Sequence, residues 1–191
     1  MLRRILITIT AIGALTLLAA MAGLAVFTDQ ETIGANAFDT GTVDLNTAPV
    51  TALVTFTAMM PGDSVTNSLV ISNDGSVEFR YAISSAATNA DALGLKDALT
   101  LTINTIDVTT PGTPCDDFDG TQLYTGDLDS TVGLLVGDAA QGADAGDRVL
   151  TDSTNETLCF RVELLLAATG PEGASTTATF TFDAEQTVNN P

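Results

Sequence analysis

Along most of the chain, apolar and polar residues alternate with a period of two, broken by short runs of Gly, Asp, Asn and Pro. Successive side chains of a strand point to opposite faces, so this pattern predicts half-buried antiparallel strands joined by tight turns. The clearest strand sets Val77, Phe79, Tyr81 and Ile83 on one face and Glu78, Arg80, Ala82 and Ser84 on the other. Leu158, Phe160, Val162, Leu164 and Leu166 share one parity, as do Ala174, Thr176, Ala178, Phe180, Phe182 and Ala184. Weaker strands are expected at 42–45, 52–56, 65–71 and 99–108, with one short helix at 91–98. Pro61-Gly62-Asp63 and Asn73-Asp74-Gly75-Ser76 read as turns, the second as a hairpin with positive φ at Gly75. The segment 138–147 is too small and polar to pack and reads as a surface loop. Together these predict an all-β, two-sheet sandwich of about seven or eight antiparallel strands.

The first 25 residues break the pattern. Arg3 and Arg4 precede an uncharged run from Ile5 to Phe27, within which Gly23 and Ala25 are small residues two apart, as a signal peptidase site requires. Residues 1–25 therefore read as a helical secretory signal peptide, cut to leave Val26 as the new N-terminus. The alternative is an uncleaved anchor, since the run is long enough to span a bilayer. Either way the domain faces outward: the expected localisation is secreted, with membrane contact only through an uncleaved leader.

Charge narrows the partners. Without the leader, four basic residues (Arg80, Lys96, Arg148, Arg161) stand against 24 acidic ones, a formal charge of −20. Such a surface repels nucleic acid and anionic lipid and attracts cations. The chain has no His, which removes Ser/His/Asp triads, Cys–His pairs and His-ligated zinc. It also lacks Trp and is only 5% aromatic, a poor basis for a sugar-stacking surface.

Cys115 and Cys159 are the only cysteines, and export makes a disulfide the expectation. Cys159 shares parity with Arg161 and Glu163, so the bridge should lie outside the sandwich and pin the loop near Cys115 to the strand. Asp116, Asp117, Asp119, Asp127 and Asp129 crowd the sequence after Cys115. Closely spaced carboxylates are what Ca²⁺ uses, although the downstream pattern of a helix–loop–helix calcium site is missing. The competing reading is a solvated acidic loop. No sequence feature suggests a buried carboxylate, so general acid/base catalysis is not expected. Asn155-Glu156-Thr157 matches a glycosylation sequon, a motif that also arises by chance.

Four motifs in order carry a family resemblance. Ala25-Val26-Phe27-Thr28-Asp29-Gln30-Glu31 resembles the A-x-F-x-D-x-E segment of the TasA/camelysin family. Residues 36–45 resemble its N-x-F-x-x-G-T-(L/V)-D-L strand, and Pro61-Gly62-Asp63 and Asn73-Asp74-Gly75-Ser76 its two turns. The match spans roughly residues 20–85. The resemblance implies a jelly-roll domain over 41–191, released by a SipW-type signal peptidase. It further implies a structural subunit of extracellular biofilm-matrix or cell-surface fibres. Its mature N-terminal segment, 26–40, would serve as a donor strand to the next subunit, with Phe27, Ile33, Ala35 and Phe38 as anchors. The alternatives are a flexible mature N-terminus or an intramolecular first strand for that segment, and, for the protein, a monomeric surface module that binds calcium or a partner through the Asp-rich loops, or a camelysin-like metallopeptidase. The expectation is a homopolymer-forming non-enzyme with no cofactor beyond calcium.

Overall fold

The structure is a computed structural model that describes residues 40–50, 53, 58–129, 133–167 and 172–188. All of these belong to the compact unit Thr40–Pro191. The expected signal helix and most of the expected strand at 52–56 lie outside the described residues.

Among the described residues eight strands form two antiparallel sheets. In chain order they are β1 (Leu45–Ala48), β2 (Ser64–Asn73), β3 (Phe79–Ala87), β4 (Leu99–Thr105), β5 (Gln122–Asp127), β6 (Arg148–Leu150), β7 (Asn155–Leu164) and β8 (Ala178–Gln186). The larger sheet runs β1-β2-β7-β4-β5 and the smaller β6-β3-β8. The predicted all-β antiparallel class is what forms. Its core is the predicted apolar parity: Phe79, Tyr81 and Ile83 of β3 meet Leu158, Phe160 and Val162 of β7, with Leu69, Ile71, Leu101 and Ile103 beside them.

Several expectations change in detail. Leu166 was placed in the core by parity but is 79% exposed, because β7 ends at Leu164 and Leu165 donates its N–H to the Ala98 carbonyl. The helix shrinks to α1 (Leu95–Ala98). The Asp91 and Asn89 side chains accept the N–H groups of Leu93 and Gly94, holding the preceding residues in a loop. The last strand starts at Ala178 and not near 174, since Ser175 donates its N–H to Asp91 and Thr176 its hydroxyl to the Thr88 carbonyl.

The two turns behave differently. Asp63 N–H bonds the Met60 carbonyl at 2.9 Å around Pro61 and Gly62, with Gly62 at φ 91°, the geometry of a type II turn. The second motif is not a hairpin, because β2 and β3 lie in different sheets and the chain turns a corner between them. Nor is Gly75 in the positive-φ region. Its requirement is steric: a Cβ there would sit 2.2 Å from the Thr42 carbonyl oxygen, where the incoming chain crosses the corner. Buried Asn73 builds that corner. Its Oδ1 accepts Gly75 N–H, and its Nδ2 donates to the carbonyls of Val77 and Leu150.

Candidate functional site

Gly23, Ala25 and Val26 at the expected cleavage site, and Phe27, Ile33, Ala35 and Phe38 of the expected donor segment, lie outside the described residues. What is described is the body such a segment would meet. Its four cations are all engaged internally. Arg80 pairs with Glu185 at 2.6 Å, Lys96 with Asp97 and Asp129 at 2.8 Å each, and Arg148 with Glu156. Arg161 lies 3.8 Å over the Phe118 ring and donates to Thr66 Oγ1. With its cations committed inward, the described surface presents mainly carboxylates to solvent.

Among the described residues four strands lie at sheet edges, β1, β5, β6 and β8, and β8 with nine residues is the longest of them. Among the described residues β8 pairs only with β3, in register from Phe79↔Gln186 to Ala87↔Ala178. Its apolar row (Ala178, Phe180, Phe182, Ala184) packs against the core yet stays only partly buried. Phe180 meets Phe160 edge-on at 5.3 Å, and Phe182 lies 6.4 Å from Tyr81. A strand edge that no other described strand covers, bordering half-covered aromatic side chains, is a template for one further strand.

Cys115 and Cys159 form the expected disulfide, across a Cα–Cα distance of 5.5 Å. It sits on the outer face of the larger sheet, as parity predicted, but it is not exposed. Cys159 is fully buried because the loop 106–121 folds down over it.

The acidic cluster is pulled apart. Asp117 and Asp119 act as ties within the 106–121 loop: Asp119 accepts Val108 N–H and the Thr109 hydroxyl, and Asp117 accepts the Thr110 hydroxyl. The Thr109 hydroxyl, first, and the Val108 N–H hold the Asp119 carboxyl below the usual carboxylate range. Asp116 is exposed beside them. Asp127 is the last residue of β5, at its opposite end, with Asp129 just past it and buried against Lys96. No three His, Cys, Asp or Glu side chains gather as a metal group among the described residues.

Two carboxylates are buried where none was expected, Asp129 and Asp107. Asp107 is 1% exposed beneath the disulfide-pinned loop, and its Oδ2 accepts Asp117 N–H at 3.0 Å. Asn104, the cross-strand partner of Cys159, is buried beside that loop and donates to the Phe118 carbonyl. The 138–147 segment is a surface loop as predicted, yet it is tied down through Asp147, which approaches Arg80, and through Gly142 N–H to Glu185. It thereby buries the Arg80 face of β3 that alternation had assigned to solvent.

No curated protein matches the chain. A family model described as camelysin metallo-endopeptidase matches residues 3–110, more than half of the sequence and inclusive of all four motifs, and the chain belongs to this TasA/camelysin family.

Proposed function

We propose that the protein is a secreted structural subunit of an extracellular fibre, in which residues 26–39 of one copy add as a strand along the free edge of β8 in the next. The observation that carries this reading is that edge: a nine-residue strand, paired on one side among the described residues, whose Phe180 and Phe182 are half covered. Strand addition satisfies the edge N–H and C=O groups, and alternate apolar side chains (Phe27, Ile33, Ala35, Phe38) cover the aromatic row. The fold is read as a jelly roll because the chain changes sheet after β2, β3, β5, β6 and β7, which interleaves the two sheets. Cleavage after Ala25 by a SipW-type signal peptidase frees the donor, so export and assembly share one step.

A catalytic role is not part of this reading. The family's description names a metallopeptidase, but the donor set does not fit a zinc centre. The chain has no His, both cysteines are in the disulfide, and no trio of acidic side chains gathers among the described residues.

Electron microscopy of the mature protein tests the proposal. Fibres are expected from the chain beginning at Val26 and monomers from a chain lacking 26–39, with fibres of the full mature chain blocked by an added 26–39 peptide. A mature chain that remains monomeric at every salt concentration and pH overturns it. Fibres that persist without 26–39 overturn the donor assignment.

A further inference from the structure

Beneath the loop 106–121, two buried oxygens have no hydrogen-bond partner: Asn104 Oδ1 and Asp107 Oδ1. Both residues are at least nine-tenths buried, and neighbouring residues of the same loop fix both side chains. Asn104 Nδ2 is committed to the Phe118 carbonyl and Asp107 Oδ2 to the Asp117 N–H, so adjacent residues of one loop hold both side chains while the two Oδ1 atoms stay without a partner. Asp107 N–H in turn bonds the Pro114 carbonyl, next to the disulfide. An unpaired buried acceptor is costly, and an uncompensated buried carboxylate more so. None of the four cations reaches Asp107, because each is committed elsewhere.

From these two oxygens we infer a calcium site, with Asn104 Oδ1 and Asp107 Oδ1 as its fixed ligands and loop carbonyls and water completing the shell. Two buried hard oxygen acceptors, neither with a donor, suit a hard cation that takes six to eight oxygens and tolerates irregular geometry. Exposed Asp116, Asp117 and Asp119 border the same loop and raise the local cation concentration without being ligands. The site differs from a cluster drawn from the Asp residues alone, and it is independent of strand exchange. With a single carboxylate its affinity belongs to the weak extracellular range, a dissociation constant of about 10⁻⁴ to 10⁻³ M. Its effect is to clip the loop 106–121 to the end of β4 alongside the disulfide.

The test is calorimetric titration of the intact, oxidised protein with calcium chloride, alongside thermal melts with and without calcium. One saturable site and a calcium-dependent rise in Tm are expected. Asp107→Asn should weaken binding at least tenfold, Asn104→Asp should tighten it, and Asp144→Asn on the surface loop should change neither. If Asp107→Asn fails to fold, the Asn104→Asp comparison still decides. No saturable binding, or one isotherm shared by wild type, Asp107→Asn and Asn104→Asp, overturns the site and leaves a buried water as the partner of the two oxygens.

Discussion

Phe160 of β7 and Phe180 of β8 meet edge-on at 5.3 Å, which joins the centre of the larger sheet to an edge strand of the smaller. Phe160 is fully buried, whereas Phe180 is only partly so. The two members of one contact should therefore cost different amounts. Phe160→Ala should destabilise by about 3–5 kcal/mol and Phe180→Ala by about 2 kcal/mol, read by chemical denaturation of the monomer. In the assembled fibre the Phe180 value should rise towards that of Phe160, since an added strand buries it.

The disulfide closes a separation of 44 residues. In the chain-entropy model that is worth about 4 kcal/mol, an upper figure. Cys115→Ala/Cys159→Ala should shift the denaturation midpoint accordingly. Hydrogen exchange should quicken first in 106–121, the segment that the bridge holds against β7.

Tyr81 donates its hydroxyl to Glu156 at 2.6 Å, and Glu156 also pairs with Arg148. Burial, then the bond to Glu156, pushes the Tyr81 phenol well above its ordinary value. A raised folded-state pKa means that stability is complete below the unfolded-state value and is lost as pH climbs beyond it. Lys96, raised chiefly by its bond to Asp129, acts in the same direction. The Tm should hold to about pH 10 and fall above it. Tyr81→Phe should blunt that alkaline loss while costing roughly 1–2 kcal/mol at neutral pH.

Asp119 shifts the other way. Its lowered pKa contributes stability that is present above the unfolded-state value and disappears as pH falls through the folded-state one. Below about pH 4 the 106–121 loop should loosen. Thr109→Val removes the largest cause and should reduce this acid dependence, measured as the pH at which exchange protection in the loop is half lost.

With a formal charge of −20 on each mature subunit, copies repel one another. Salt shortens the range of that repulsion to about 10 Å at 0.1 M, so fibre growth should quicken with added salt or divalent cations. Faster growth in salt-free neutral buffer would contradict a charge-limited assembly step.

Much of the fold was legible because a strand's two-residue period is local. The inward rows of β3, β7 and β8 follow directly from parity, and Cys159's parity placed the disulfide on the outer sheet face. The mistakes occurred where distant segments meet. Asn73-Asp74-Gly75-Ser76 has hairpin chemistry but turns a corner between sheets, because β2 finds β7 and β3 finds β8 as partners. Arg80 alternates with apolar neighbours like a solvent-facing residue, yet 138–147 covers it.

What the sequence by itself determined was the all-β class, the acidic composition, the family motifs and the only possible disulfide pair within the chain. These rest on composition and short-range periodicity, which need no knowledge of neighbours in space. Only the tertiary structure decided that the Asp cluster is split across the two ends of β5, that β8 pairs on one side only among the described residues, and that Asn104 and Asp107 are buried where one loop leaves β4. Each of these depends on which strands pair and which loop folds over which face, and burial is a property of that arrangement and not of any residue alone.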